Sequence, residues 1–300
     1  MSDFVVETHA LTKRYGSLAA VDGLEMRVER GSIYGFIGRN GAGKTTTLRM
    51  LAGLSGATSG TARVLGMDTG RDQIGILDRT GFVIDTMLLP WMTGKDLVRF
   101  NRGFFPGWQD GLVKRYAEAL EIPMDRQFKK LSQGNKTKLC LLLALAQNPE
   151  LLVLDEPTAG LDPVVTDQLL RVLVEDFANN GRTILMSSHH LSEVERIADW
   201  VGIIDKGKLL LEARLDDIRT HYRRVRAAGE RLPPTSPEVL AVSSAEGITE
   251  YVLSAGAEAF AAALSAQGAI VLEVSPLNLS EIFLALLGKE NGHVPVEVLA

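Results

Sequence analysis

Cysteine is nearly missing from this chain: its 300 residues include only Cys140, which excludes an internal disulfide. That thiol lies in the apolar run Leu139 to Ala146, so it reads as a buried side chain in a reducing compartment. Long hydrophobic runs are missing too. No segment reaches the roughly eighteen apolar residues needed to span a bilayer, and Met1-Ser2-Asp3-Phe4 does not open a basic region followed by an apolar one, as a secretory leader would. Basic residues are outnumbered, 32 Lys and Arg against 37 Asp and Glu, and the net charge of -5 argues against a surface that coats nucleic acid. What is present is a hydrophobic share of 46%, enough for a substantial core over a length that suits one large domain and a small one. A cytoplasmic location is expected.

The most informative run is Gly38-Arg39-Asn40-Gly41-Ala42-Gly43-Lys44-Thr45-Thr46, which has the spacing of a phosphate-cradling loop, G-x-x-x-x-G-K-[ST]. Gly38, Gly41 and Gly43 leave room for backbone N–H groups to turn toward an anion. Lys44 can reach the β- and γ-phosphates of a nucleotide triphosphate, the Thr45 hydroxyl can ligand Mg²⁺, and the helix that follows offers its positive end. The flanks agree, with a buried strand over Ser32 to Ile37 and a helix over Thr46 to Leu54. The loop alone does not separate kinases, GTPases and ATPases.

Elsewhere the pattern alternates. Strands are predicted at Val5 to Thr8, Leu24 to Val28, Thr61 to Leu65, Leu151 to Leu154, Thr183 to Met186 and Val201 to Ile204, and helices at Lys136 to Gln147 and Thr166 to Asn179. Such alternation implies a mostly parallel sheet covered by helices. Arg223 to Pro237, with Gly229 and Pro233-Pro234, reads as a linker or edge element. A small α+β module follows, with strands at Ile248 to Leu253 and Ala269 to Val274 and helices at Ala257 to Gln267 and Leu279 to Leu287. The expected boundaries are 1–222 for the large domain, 223–290 for the small one, and a loosely held tail at 291–300.

Asp155 and Glu156 leave the strand Leu151 to Leu154 at its C-terminal end, where parallel sheets carry their sites. Beside a phosphate loop, two carboxylates suggest two tasks. Asp155 would hold Mg²⁺ through water, while Glu156 would accept a proton from, or orient, a water attacking the γ-phosphate.

With these residues and Leu131-Ser132-Gln133-Gly134-Asn135, the sequence resembles the nucleotide-binding subunits of ATP-binding-cassette (ABC) transporters over about residues 4–215. The family signature L-S-G-G-Q stands at Leu131 to Asn135. The resemblance implies a P-loop NTPase fold of the ABC ATPase type: a RecA-like α/β core, an antiparallel β subdomain and a helical subdomain over about 86–147. It also implies that Ser132 and Gly134 contact the γ-phosphate of ATP held by the facing subunit. Tyr15 matches the aromatic that stacks on adenine. Asp162, in Ala159-Gly160-Leu161-Asp162, matches the D-loop between paired sites, and His189 matches the switch histidine at the γ-phosphate. His190 matches nothing in the family. Asp85 stands where the family has Gln and would be a further Mg²⁺ ligand, and Gln133 and Asn135 replace Gly and Gln in the signature. Trp91, Phe100, Phe104, Phe105 and Trp108 lie in the segment that receives the membrane subunit, as core or as a docking groove; Thr93 would cap the helix after it.

The tail from Arg223 resembles the C-terminal module of some ABC-2-type exporter ATPases, with Ser280 to Leu284 as a closing helix, and would serve dimer contacts or regulation. The resemblance therefore implies an ATPase that binds ATP and Mg²⁺ and pairs as a homodimer or with a paralogous subunit. It would drive export through separate integral membrane permease subunits from the inner face of the cell membrane, without binding nucleic acid. The alternatives are a soluble ABC ATPase acting on DNA or ribosomes and a GTPase. Against the second, the guanine-reading N-K-x-D is not formed, because Asn135-Lys136-Thr137 is followed by Lys138.

Overall fold

The computed structural model describes residues 3–84, 89–177, 181–229 and 236–290. Asp85, the prolines at 233 and 234, Asn179 and the 291–300 tail lie outside them. In chain order the chain first forms β1 (Phe4–Tyr15), β2 (Leu18–Leu24), β3 (Arg27–Glu29), β4 (Ile33–Ile37), α1 (Lys44–Leu51), β5 (Ser59–Val64) and β6 (Met67–Asp68). There follow α2 (Gln73–Arg79), β7 (Thr80–Val83), α3 (Gly94–Arg102), α4 (Asp110–Ala119), α5 (Gln133–Ala146), β8 (Leu151–Asp155) and α6 (Pro163–Arg171). Then come β9 (Thr183–Ser188), α7 (Leu191–Ile197), β10 (Trp200–Asp205), β11 (Lys208–Arg214) and α8 (Leu215–His221). The chain continues with β12 (Arg223–Ala228), β13 (Val239–Ala245), β14 (Ile248–Leu253), α9 (Ala257–Ala266), β15 (Ile270–Pro276) and α10 (Leu279–Glu290). Two compact units result, Met1–His190 with Ile197–Glu212, and Leu191–Arg196 with Ala213–Ala300. The division falls ten residues before the expected boundary at 222.

In the first unit, the central sheet runs in the order β11-β10-β4-β9-β8-β7 and is parallel from β10 to β7. Every residue of β4 and β9 is buried, as are Leu151 to Leu154 of β8, because these strands are covered on both faces. A second sheet pairs β1 antiparallel with β2, β3 and β5. The single strand expected over Leu24 to Val28 is broken at Glu25-Met26. There the Thr8 hydroxyl donates to Leu24 O at 2.8 Å and accepts from Met26 N–H at 2.8 Å, replacing the ladder.

The helices between β7 and β8 share one core with the central sheet, in which Leu97, Leu120 and Leu142 join Leu152, Leu154 and Met186. Thr93 caps α3 through a reciprocal pair with Asp96, as expected. In α5, Leu139 to Ala146 are all buried, Cys140 included, and burial pushes that thiol up to about 12. Trp108 packs on this core, whereas Trp91, Phe100 and Phe104 remain exposed. The helix expected from Thr166 begins instead at Pro163, with Asp162 as its cap, and passes into π-helical geometry over Val172–Phe177.

The second unit contains a sheet in the order β13-β14-β12-β15. Here the reading of Arg223 to Pro237 as a linker or edge element is corrected for its first six residues: Arg223–Ala228 is the inner strand β12. Val225 and Ala227 face the core under α9, while Arg224 lies 3.0 Å from Glu250 and also meets Glu281, and Arg226 lies 3.5 Å from Glu273. Charge on alternate residues hid a strand whose acidic partners come from β14, β15 and α10. The strand β13 went unpredicted as well.

Candidate functional site

Parallel pairing brings the ends of three strands level, since Ile37 of β4 pairs with Ser188 of β9 and Asp155 of β8 pairs with Ser187. The loop after β4, the two carboxylates at the end of β8 and His189 after β9 therefore leave the sheet at one edge.

Along the loop, Gly41 and Gly43 take left-handed φ values of 81° and 114°, and α1 starts without a side-chain cap. Its first N–H groups are left for an anion. A Cβ on Gly43 would lie 2.5 Å from Ala20 O and one on Gly38 2.5 Å from Ile204 O, so packing as well as phosphate geometry requires glycine at both. Arg39, Asn40 and Gly41 are exposed, Ala42 is buried, and Thr46 lies in the first turn of α1. Lys44 is only 5% exposed. Its Nζ donates to Gly38 O at 2.6 Å and to Arg39 O at 3.3 Å, and stands 3.1 Å from Glu156 Oε1.

Around the carboxylates, the Thr45 hydroxyl donates to Asp155 Oδ2 at 2.6 Å and the Ser187 hydroxyl to Asp155 Oδ1 at 2.5 Å. Glu156 has a φ of 48°, strained for a side-chain-bearing residue, and its N–H is held by Ser187 Oγ at 3.0 Å. Glu156 Oε2 accepts from the His189 N–H at 3.2 Å and lies 2.7 Å from Nδ1 of that ring. Burial alone would raise the Glu156 pKa, but the His189 hydrogen bond and the nearby positive charge of Lys44 together outweigh it and hold the carboxyl below its ordinary range. The approach of Lys44 to Oε1 is an ion pair rather than a directed hydrogen bond, so this buried oxygen has no well-aligned donor.

These groups suit a nucleotide and its cation. Thr45 Oγ1 and Asp155 Oδ2 are hard oxygen donors of the kind Mg²⁺ takes, and Lys44 and Glu156 are charges poised at the mouth of a helix N-terminus. Tyr15, at the end of β1, is 53% exposed rather than buried in the sheet, and Lys13 Nζ lies over its ring, 5.2 Å from the centroid.

A second group gathers elsewhere on the same unit. Ser132 is the exposed cap of α5 and accepts from the Asn135 N–H at 3.3 Å. Asp162 caps α6 by accepting from Val164 and Val165 N–H at 3.1 and 3.0 Å. A Cβ on Gly134 would meet Leu161 at 3.3 Å, so the tip of α5 and the turn before α6 are neighbours. Among the described residues, the hydrogen bonds of Ser132 and Asp162 stay within the helix starts that they cap. One residue escaped the sequence reading: Ser187 was legible only as the start of Ser187-Ser188-His189, because its link to Asp155 depends on strand register. His190, which matched no family role, lies with its ring against that of His189, tilted by 38°.

A family profile described as ABC transporter matches residues 21–159. The bacitracin transport ATP-binding protein BcrA of Bacillus licheniformis is 40% identical over 228 residues, covering 73% of each chain. The chain belongs to the ABC transporter ATP-binding proteins. Within that family it is also similar to the Nod factor export ATP-binding protein I of Cupriavidus metallidurans, 31% identical over 95% of this chain and 98% of the relative. Among solved structures, an ATP-binding subunit of an ABC transporter matches with a TM-score of 0.66 at 26% identity, covering 72% of this chain and 92% of its own. As an ABC transporter ATP-binding protein of the exporter group, the chain binds and hydrolyses ATP. Its homologues work as dimers with membrane permeases.

Proposed function

We propose that this chain forms half of a two-ATP sandwich whose closure drives export through separate membrane subunits. The observation that carries this reading is the division of the site. One chain presents a phosphate loop with Lys44, Glu156 and His189 on one edge, and Ser132, Gly134 and Asp162 as a separate group. A second copy, or a paralogous subunit, would supply the missing half.

In this reading the loop N–H groups and Lys44 hold the β- and γ-phosphates, Tyr15 stacks on adenine, and Thr45 and Asp155 hold Mg²⁺, which neutralises charge on the transferred phosphoryl group. Glu156, held beside His189, accepts the proton of the attacking water, and His189 contacts the γ-phosphate. Ser132 and Gly134 of the facing copy close the site with the N-terminus of α5.

The protein would act from the inner face of the membrane, held there by its permease. Among the described residues, no helix is long and apolar enough to cross a membrane. Trp91, Phe100 and Phe104 are 61%, 46% and 63% exposed. A cavity of about 260 Å³ opens nearby, lined by residues such as Phe82, Asn101, Phe105 and Leu143. These features support docking of an apolar segment of the membrane subunit. Names of relatives support export: bacitracin transport, Nod factor export and, in Streptomyces peucetius, daunorubicin/doxorubicin resistance.

The test is ATP-dependent pairing. Glu156→Gln with ATP and Mg²⁺ should sediment as a dimer, and Ser132→Arg added to it should remain monomeric while still binding ATP. A nucleotide-loaded Glu156→Gln protein that stays monomeric, or a Glu156→Gln protein that still dimerises once Ser132→Arg is added, would refute the sandwich.

A further inference from the structure

His190 had no task in the sequence, yet its ring lies on that of His189, with centroids 4.0 Å apart and planes inclined by 38°. Its own position is set by the sheet. The His190 N–H donates to Ser188 Oγ at 2.9 Å, and Ser188 is fully buried at the last pairing position of β9 with β4. His189 is less constrained. Its side chain is 40% exposed, and Nδ1 is committed to Glu156 Oε2. A ring held at one nitrogen can still rock about that contact, because the second side-chain torsion of histidine is broad. A neighbouring ring against its face removes that freedom.

We propose that His190 is a positioning residue for ATP hydrolysis: it fixes the plane of the His189 ring so that Nδ1 stays on Glu156 while Nε2 remains free for a second partner. The inference rests on the reading of His189 as a participant in hydrolysis. His190 itself touches no reacting atom. The stacking requires a flat ring and not an ionisable one, so His190→Phe should preserve it and His190→Ala should lose it. The strength of such contacts corresponds to an effect of about two- to tenfold on the population of the aligned ring, and hence on turnover.

The experiment compares steady-state ATP hydrolysis of the full chain as wild type, His190→Ala, His190→Phe, His189→Ala and the double variant His189→Ala with His190→Ala. Thermal unfolding confirms that each is folded. Expected are a two- to tenfold lower kcat for His190→Ala with KM for ATP unchanged, recovery to within twofold in His190→Phe, and no further loss when His190→Ala is added to His189→Ala. Should His190→Ala match the wild type, should Ala and Phe lose activity alike, or should KM carry the change, the positioning role is wrong. The control separates the two claims. Full activity in His189→Ala would overturn the reading of His189, whereas an inactive His189→Ala beside an unaffected His190→Ala overturns only this inference.

Discussion

Replacing Glu156 by Gln keeps the shape of the site and removes one charge from the group Lys44, Glu156 and His189. The distance from Lys44 Nζ to Glu156 Oε1 is 3.1 Å, with side chains 6% and 21% exposed. At an effective dielectric constant of about 20, that separation gives an attraction of about 5 kcal/mol before desolvation. Desolvation offsets much of it, and contacts of this kind leave a net of about 1.5–3 kcal/mol. For Lys44 to reach a phosphate it must leave Glu156, so the wild type gives up this net on binding ATP and the variant does not. Since about 1.4 kcal/mol is a tenfold change in affinity, Glu156→Gln should bind ATP at least about tenfold more tightly. Its hydrolysis should meanwhile fall by about 10²–10⁴ through loss of the base. Calorimetric titration with ATP and a phosphate-release assay on the same preparation give both numbers. Unchanged or weaker ATP binding by a folded variant would show that the ion pair is not exchanged for phosphate, and equal turnover would remove Glu156 from the chemistry.

Three further outcomes are expected. Lys44→Ala should weaken ATP binding and abolish turnover, measured by the same titration; binding at wild-type affinity would contradict the loop assignment. Gly43→Ala must force a Cβ at φ 114° to within 2.5 Å of Ala20 O, a strain of about 3 kcal/mol, so thermal unfolding should drop by more than about 5 °C; an unchanged melting temperature would mean that the loop relaxes freely. Acid should act through Glu156 and Glu150, the latter held below its ordinary range chiefly by the Arg79 hydrogen bond. Both folded pKa values are depressed, so the stability they contribute is present above the unfolded value of about 4.3 and disappears as pH falls through the lower folded values. Denaturant titrations should therefore show a decline beginning below about pH 4.3 that is shallower in Glu150→Gln, and identical slopes would refute the linkage.

What could be read from the residues alone follows a physical division. Short apolar runs such as Ile33–Ile37, Leu151–Leu154 and Thr183–Met186 announce themselves because strands covered on both faces need no alternation. The phosphate loop is equally legible, since its constraints act within nine consecutive residues. Contacts set by pairing between distant strands are not. Ser187 meets Asp155 through the register of β8 and β9, and β12 was hidden because Arg224 and Arg226 find Glu250, Glu273 and Glu281 only after the small sheet has formed. The signature at Ser132 is a third case. Within one chain it is a helix cap bonded to Asn135, a role that any serine could fill. Its exposed position, apart from the Lys44 and Glu156 group, is what gives it a different meaning. Phosphate charge gathered by one loop would still be uncompensated on its open side, and a second helix N-terminus from another copy, capped only by the exposed Ser132, would offer the complementary surface. Dimerisation would then depend on the nucleotide rather than on permanent apolar contact, so association should follow ATP concentration and reverse on hydrolysis.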